Sequence, residues 1–349
     1  MWKFIKTEML VILALTEDAN RTDAEIADLY GLKKGTVSSA RRRLLEAGAM
    51  SYVLVPAFNK LGCEMLGFLH GTTDPAVRSD TKSNHYMEFC SRTPQIYYAL
   101  IGGNSIIMFA ALQNATELES IVQQHNAFFS GSRQSSRAKL SHVVFPYRLS
   151  RITPLPHFAS IVHSYFELDV PPPRHNLVTA VPHDSAELTL SEKKTLSAMV
   201  ANPNASDREI AAAVKLSRQA ITRQRNKFAE EELLARICVP KLYRWGFEIC
   251  AVAHPKFSPD FGWEKRIKSQ PKDVVDRSFY TLSKADEAVA SFMVSKFSEY
   301  SERFENVLGW YHKVKALEEQ LEVTLFSLDR STELRSFDYA PAVKQLLHP

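Results

Sequence analysis

The chain has 349 residues, of which 45% are apolar and 23% are charged. This ordinary composition excludes the fibrous and disordered classes, and no run of about 18 apolar residues predicts a transmembrane helix. The formal net charge of +4 is too small to identify a nucleic-acid-binding protein, so the placement of the charges matters more than their sum.

The N-terminus and the cysteines indicate where such a chain works. Residues 1–8 lack the long apolar region of a secretory signal, so we expect a cytoplasmic protein. Cys63, Cys90, Cys238 and Cys250 are scattered and form no CxxC pair. We therefore expect neither a disulfide framework nor a zinc site, and the sequence indicates no cofactor and no metal ion.

The chain contains a long internal repeat. Residues 22–70 align without a gap with residues 206–254, at a constant shift of 184 (207 − 23 = 184), and 12 of the 49 aligned positions are identical. The identical positions in the first copy are Asp23, Glu25, Ile26, Ala27, Leu32, Arg41, Glu46, Val55, Pro56, Gly62, Glu64 and His70. A solenoid repeats every ~20–50 residues, so the longer period indicates a duplicated pair of domains.

Each copy is predicted to begin with a winged helix-turn-helix. In the first copy the apolar pattern and the helix-end residues predict helices over 8–16, 22–30 and 34–47, then a strand over 52–56. Thr22 is expected to cap the second helix, and Gly31 to make the turn before the third. Three helices with a tight turn and a strand are typical of this motif.

Each copy is then predicted to continue as a ferredoxin-like βαββαβ domain. In the first copy we expect strands over 65–73, 95–101, 105–112 and 142–149 and helices over 76–91 and 117–129. In the second we expect strands over 247–253, 274–282, 288–295 and 321–328, a short irregular segment near 262–269 and a helix over 300–315. A second shift (326 − 145 = 181) relates Phe145 to Phe326.

A proline-rich segment separates the copies. It contains Pro171, Pro172 and Pro173, and a capping-box pattern from Thr189 to Glu192 follows it. The sequence thus predicts an α+β protein of two tandem units, each a winged helix-turn-helix followed by a ferredoxin-like domain. The predicted divisions are 1–60, 61–167, the linker 168–187, 188–244 and 245–349.

Basic residues are concentrated on the third helix of each copy. No acidic residue interrupts them over 33–43 or 217–227. Since such helices enter the major groove, we expect DNA contacts there. The predicted DNA-binding residues are Lys33, Lys34, Thr36, Ser38, Ser39, Arg42, Arg43, Arg218, Gln219, Thr222, Arg223 and Lys227. The alternative is a solvated basic face.

Two repeated arginines have two interpretations. Arg41 and Arg225 flank the apolar stripe of the third helix, and Glu25 and Glu209 are repeated with them. Each arginine could form an ion pair with that glutamate, or it could contact a DNA phosphate.

The ordered motifs resemble the Lrp/AsnC (leucine-responsive) family of transcription regulators. The matching stretches are 25–27, 32–37 and 60–62 in the first copy and 209–211, 216–221 and 245–246 in the second. The resemblance implies DNA binding and a small-molecule effector site at the hairpin turn, at Gly102, Asn104 and Ser105. Ordinary members are single units that dimerise, and the second copy departs further by having Glu232 where the first has Gly48.

The sequence therefore predicts a sequence-specific, DNA-binding transcription regulator that acts as a covalently fused pseudo-dimer and is not an enzyme. Its expected partner is double-stranded DNA, with no membrane partner. A small-molecule effector and a homodimer or higher oligomer are both compatible with the sequence.

Several alternatives remain open. Siroheme decarboxylases are similar in pairing two Lrp-like units and act on a tetrapyrrole, although this chain has residues 95–98 and 273–276 in place of their His-Asn-Tyr cluster. The chain could instead be a protein-interaction module in which one helix-turn-helix no longer binds DNA. The repeated His70 and His254 could be ligands, or could satisfy local hydrogen bonds. The glycines at 102–103 could serve only the turn.

Overall fold

The computed structural model describes residues 3–130, 138–153, 155–173, 179–180, 185–263, 265–266 and 278–347. Its helices are α1 (Lys6–Glu17), α2 (Asp23–Tyr30), α3 (Lys34–Glu46), α4 (Ser79–Arg92), α5 (Ala115–Ser130), α6 (Ala159–Phe166), α7 (Leu190–Ala201), α8 (Asp207–Val214), α9 (Arg218–Glu230), α10 (Leu242–Trp245), α11 (Phe297–Val314) and α12 (Ala340–Leu347).

The strands lie between and after these helices along the chain. They are β1 (Met50–Pro56), β2 (Met65–Thr72), β3 (Ile96–Gly102), β4 (Ser105–Leu112), β5 (Lys139–Pro146), β6 (Arg151–Ile152), β7 (Thr179–Ala180), β8 (Leu234–Pro240), β9 (Ile249–His254), β10 (Ser278–Ser283), β11 (Ala288–Val294), β12 (Glu322–Ser327) and β13 (Ser331–Arg335).

The chain folds into two compact units that each use three separate segments. Unit 1 comprises Met1–Tyr52, Ser150–Thr179 and Arg236–Asp329, whereas unit 2 comprises Val53–Leu149, Ala180–Ala235 and Arg330–Pro349. Unit 1 therefore contains the helices of the first copy's winged motif with the ferredoxin-like sheet of the second copy. Unit 2 contains the reverse combination.

The winged helix-turn-helix elements repeat with the same bounds. The pairs α1/α7, α2/α8, α3/α9 and β1/β8 are each related by the shift of 184 (190 − 6 = 184). Local signals explain their starts, because Thr22 and Ser206 cap α2 and α8 and accept hydrogen bonds from the backbone N–H of Glu25 and Glu209. The duplication read from the sequence is thus confirmed for these four elements.

The sheet of unit 2 has the strand order β13-β3-β4-β2-β5, and every neighbouring pair is antiparallel. Without β13 this is the order of a ferredoxin-like βαββαβ domain. The face that carries α4 and α5 is filled by an apolar core that includes Leu69, Phe89, Met108 and Phe129.

The sheet of unit 1 repeats this arrangement. Its order is β12-β9-β11-β10-β6-β7, and β9, β10, β11 and β12 pair antiparallel. The edge of β10 is extended by β6, as the edge of β3 is extended by β13 in unit 2. The predicted α+β class, with a winged helix-turn-helix and a βαββαβ domain in each copy, is confirmed.

The structure adds elements that the sequence did not predict. The helices α6 and α12 and the edge strands β6 and β13 all follow the last ferredoxin-like strand of their copy. Each helix packs on the first helix of a winged motif, α6 on α1 and α12 on α7. They were missed because a short apolar helix gives little local signal, although the shift of 181 also relates Val162 to Val343.

Three predicted segments fall partly outside the described residues. They are the linker 168–187, at residues 174–178 and 181–184, the segment 262–269, at 264 and 267–269, and the strand 274–282, at 274–277. Within the described ranges, none of the helices has the length and apolar character needed to cross a membrane.

Candidate functional site

Unit 1 contains an apolar pocket between its sheet and α11. Its floor includes the small side chains of Ala253, Ala288 and Ala290, and its walls include the rings of Trp263 and Trp310. The interior is about 120 Å³, and the space counted out to the solvent-open mouth is about 1140 Å³. This interior is smaller than the ~300–1,000 Å³ of common small-molecule sites, so a larger ligand would lie partly in the open mouth; the mostly apolar lining is typical of such sites.

A buried arginine lies on the wall of this pocket. Arg266 is 5% exposed, and its guanidinium carbon lies 4.2 Å from the ring centroids of both Phe257 and Trp263. It donates hydrogen bonds to the carbonyl oxygens of Lys284 (2.8 Å) and Ala285 (2.9 Å). Burial lowers its pKa to about 10. Its Nε is buried and has no hydrogen-bond partner among the described residues.

Further polar groups line the same pocket from α11. Arg303 reaches it while its Nε donates to Glu299 Oε1 at 3.1 Å. The tyrosines Tyr300 and Tyr311 also line the pocket. Burial raises the pKa of both phenols, and it raises that of Tyr311 to about 12. Both phenols are therefore protonated at neutral pH. The pocket combines aromatic walls, positive charge and O–H donors.

Arg151 adds positive charge near one wall. Its guanidinium carbon lies 5.0 Å from the ring centroid of Trp263, the same ring that Arg266 stacks on. Such stacking lets a cation lie favourably beside an apolar surface. A negatively charged ligand at this wall would gain from both charges.

The predicted effector residues lie at the β3–β4 hairpin of unit 2. Gly102 ends β3, Ser105 begins β4, and Asn104 lies in the exposed turn between them. The buried Lys82 donates from Nζ to Gly103 O at 2.8 Å and to Asn104 Oδ1 at 3.3 Å. An effector at this turn stays a prediction.

The cations that hold the two hairpins are themselves repeated. Lys82 and Arg266 are related by the shift of 184 (266 − 82 = 184). Each donates to backbone carbonyl oxygen in the turn that follows the second ferredoxin-like strand. Neither was predicted, and the signal that would have found them is the repeat extended past residue 70.

His254, at the end of β9, lies in a part-buried polar cluster with Glu287 and Lys284. Its Nε2 lies 2.8 Å from Glu287 Oε2, and Lys284 Nζ lies 2.6 Å from Glu287 Oε1. Burial raises the pKa of Glu287, but the hydrogen bonds from His254 and Lys284 outweigh it and hold the pKa at about 2. His70, the repeated position, stacks on Phe68 instead, with ring centroids 5.1 Å apart. Of the two interpretations given above for this histidine, a local hydrogen bond fits the position of His254.

Arg41 and Arg225 form internal ion pairs, with aspartates and not with the glutamates considered above. Arg41 Nε lies 2.8 Å from Asp23 Oδ1, and Arg225 Nε lies 2.8 Å from Asp207 Oδ1.

The two glutamates have other partners. The carboxylates of Glu25 and Glu209 accept hydrogen bonds from the N-cap residues of their own helices, Thr22 and Ser206. These bonds lower the pKa of both carboxyl groups. Each glutamate therefore serves the start of its helix.

Three predicted DNA-contact residues form hydrogen bonds or ion pairs with other side chains of the winged motifs. Arg43 Nε donates to Glu8, whose side chain is 1% exposed, and Lys227 Nζ lies 2.7 Å from Glu192 Oε1. Both pairs follow the shift of 184 and join the third helix to the first. Thr222 donates to Asp207 Oδ2 at 2.6 Å. These three side chains serve the internal structure.

The other predicted DNA-contact residues lie on the solvent-exposed faces of the third helices or at their N-termini. They are Lys33, Lys34, Thr36, Ser38, Ser39, Arg42, Arg218, Gln219 and Arg223. Their exposure is equally what a solvated basic face requires. DNA contact by these residues stays an untested prediction.

No protein-family model and no curated protein matches this sequence. Among solved structures, the chain is similar in fold to the siroheme decarboxylase NirDL, with a TM-score of 0.52 and 14% identity over 98% of each chain. The same TM-score and identity are found for NirDL in complex with an iron-uroporphyrin III analogue.

Proteins of the Lrp type match part of the chain. LrpC of B. subtilis gives a TM-score of 0.32 with 17% identity over 41% of this chain and 94% of its own. The leucine response regulatory protein LrpA of Mycobacterium tuberculosis gives 0.31 with 19% identity, over 40% and 91%. Scores this low carry no argument about function.

These comparisons correct the functional prediction. The interpretation as a DNA-binding transcription regulator is wrong, and so is the expectation that the chain is not an enzyme, because a solved structure that matches the whole chain is an enzyme. The Lrp-like fold implied by the resemblance is confirmed, and the regulatory role is not. The basic residues of the third helices were interpreted as DNA contacts, but two of them, Arg43 and Lys227, form ion pairs with the first helices of the winged motifs.

Proposed function

We propose that this protein is an enzyme that acts on a tetrapyrrole, of the siroheme decarboxylase type. The observation that carries the proposal is the aromatic pocket of unit 1, with Arg266 and Arg303 on its lining. The whole-chain similarity in fold to NirDL, an enzyme also solved with an iron-uroporphyrin III analogue, supports it.

The chemistry of the pocket matches the chemistry of such a ligand. A tetrapyrrole of this class is a flat, largely apolar macrocycle that carries carboxylate side chains at its rim. Rings such as Phe304 and Trp310 suit the macrocycle, and arginine suits carboxylates because its planar fork can donate two hydrogen bonds. An interior of about 120 Å³ would admit one edge of the macrocycle, leaving the rest in the wider mouth.

The lining residues can also assist the removal of a carboxylate. In a decarboxylation the carboxylate leaves as CO₂, the electrons of the broken carbon–carbon bond stay on the side-chain carbon, and that carbon takes up a proton. Arg303 would orient the carboxylate, and an apolar surrounding favours the uncharged product over the charged group. The protonated hydroxyls of Tyr300 and Tyr311 are the candidate proton carriers among the described lining residues.

A spectroscopic titration tests binding. The purified full chain is titrated with iron-uroporphyrin III, and the expected result is a saturable shift of the porphyrin absorption band. The same chain unfolded in urea is the control for nonspecific adsorption. A band that shifts equally with folded and unfolded protein, or not at all, would contradict the proposal.

Other sequence predictions stand beside this proposal. The divisions at residues 60, 167, 187 and 244 are kept as proposed boundaries along the sequence, while each compact unit uses three segments. A cytoplasmic location and a homodimer or higher oligomer are likewise kept as proposals.

A further inference from the structure

We infer that one chain binds one tetrapyrrole, at the pocket of the second repeat, and that the corresponding space of the first repeat is a filled core that binds none. The inference rests on the proposed function and assigns its site. It is carried by a consistent set of differences between the two ferredoxin-like domains.

Strand registers align the two domains. In unit 2, Leu69 on β2 lies opposite Met108 on β4. In unit 1, Ala253 on β9 lies opposite Ala290 on β11. Ala253 is 184 residues after Leu69 (253 − 69 = 184), and Ala290 is 182 residues after Met108 (290 − 108 = 182). The two pairs therefore occupy the same place in their sheets.

Large apolar side chains of the first repeat become small ones at this place. Leu69 and Met108 belong to the buried core of unit 2, and both are alanine in the second repeat. The neighbouring pair at positions 101 and 106, both isoleucine, is also in that core, and its counterparts on the adjacent strands are Ser283 and Ala288. Replacing large core side chains on a sheet with smaller ones leaves a space above the sheet that the surrounding residues refill only in part.

Matching hydrogen bonds align the helices that lie above the two sheets. Glu117 on α5 accepts a hydrogen bond from the backbone N–H of Gln113, and Glu299 on α11 accepts one from that of Ser295. The two glutamates are 182 residues apart (299 − 117 = 182), as are their donors (295 − 113 = 182). The shift of 182 therefore relates α11 to α5.

The second of these helices covers its sheet less completely. Four residues of α5 are buried, whereas Tyr311 is the one buried residue of α11, all of whose residues the structure describes. Tyr311 is the counterpart of the buried Phe129 (311 − 129 = 182). The other buried positions of α5 have more exposed counterparts, so the space beneath α11 stays open to solvent.

At one position of this helix the second repeat has a charged side chain where the first has a buried apolar one. Arg303 is the counterpart of Ile121 (303 − 121 = 182), which is buried in the core of unit 2. A charged side chain on the lining of an apolar space is costly unless something compensates it. Arg303 donates a hydrogen bond to Glu299, a carboxylate that also accepts one from the backbone N–H of Ser295. The Nε of Arg266 is buried and has no hydrogen-bond partner among the described residues. Both features favour an anionic occupant, which a carboxylate of the tetrapyrrole supplies.

The test refills the pocket with the side chains that the first repeat carries. The double variant Ala253→Leu/Ala290→Met should lower the affinity for iron-uroporphyrin III by at least ~10-fold, which corresponds to ~1.4 kcal/mol. Arg303→Ile is a second variant that keeps the floor unchanged, and we expect a similar loss. The matched control is Leu69→Met/Met108→Leu in the first repeat, which conserves volume and should leave affinity unchanged. Thermal melting verifies that each variant is folded.

The outcomes separate this inference from the proposed function. Saturation of the unchanged chain at one macrocycle, lost in the folded refilled variants, supports the inference. Saturation at two per chain, or unchanged affinity in both the double variant and Arg303→Ile, overturns it while the proposed function stands. No binding by the unchanged chain overturns the proposed function and the inference together.

Discussion

His125 is a titratable side chain in the filled core of unit 2. It is fully buried, and Tyr86 Oη lies 3.1 Å from its Nε2. Burial lowers the pKa of His125 to about 4 from its usual 6.5. The ring is therefore neutral in the folded protein at pH values where the unfolded chain already carries its charge.

This histidine should make stability depend on pH. Between pH 6.5 and 4 the unfolded chain binds the proton and the folded chain does not, so the free energy of unfolding falls as the pH falls through this range. The loss attributable to His125 should reach about 3 kcal/mol by pH 4. Urea unfolding at a series of pH values across this range measures it.

A matched pair of variants isolates the effect. His125→Phe should flatten the pH dependence between 6.5 and 4, whereas the exposed His142→Gln should leave it unchanged. An equal slope in His125→Phe and the unchanged chain would show that this ring is not the source.

At the scale of elements, ion pairs between helices involve residues that were predicted to contact DNA. Arg43 and Arg42 are neighbours on α3 with different surroundings. Arg43 pairs with the buried Glu8, whereas the side chain of Arg42 is 75% exposed and its Nε lies 4.0 Å from Glu46 Oε1. Of these two pairs, the first alone involves a buried charge.

Removing each arginine should therefore have unequal effects. Arg43→Ala leaves the Glu8 carboxylate buried without its cation, and we expect a loss of about 1–3 kcal/mol in the free energy of unfolding. Arg42→Ala should cost less than about 0.5 kcal/mol, because an exposed pair contributes little. The shift of the urea midpoint measures both, and equal shifts would contradict this account of α3.

Local signals explain which elements the sequence predicted. The helix starts at Thr22, Thr189 and Ser206 carry capping boxes that involve only residues three apart, so they are visible in the sequence. The edge strands β6 and β13 depend on pairing with distant strands and have no such signal. This is why the repeated core was predicted and its additions were not.

The pocket could not be predicted from local patterns for a similar reason. Its space results from small residues such as Ala253 and Ala290, which lie 37 residues apart (290 − 253 = 37) and meet only through strand pairing. Alanines on a strand look like ordinary core residues. A comparison with Leu69 and Met108 at the shifts of the repeat would have identified the difference.

At the scale of the whole chain, each compact unit combines segments from both copies of the repeat. Residues 150–179 belong to the unit that contains the second ferredoxin-like sheet, and residues 330–349 to the unit that contains the first. Sequence order alone predicted consecutive domains. The two copies share a fold, and the pocket described above lies on the second sheet.

The most direct test of the proposed function is turnover of siroheme by the purified full chain. Anaerobic incubation followed by mass spectrometry of the tetrapyrrole should show loss of CO₂ from its carboxylate side chains, and the Ala253→Leu/Ala290→Met variant should react much more slowly. Siroheme that stays unchanged at protein concentrations that bind it would contradict the proposed decarboxylase function.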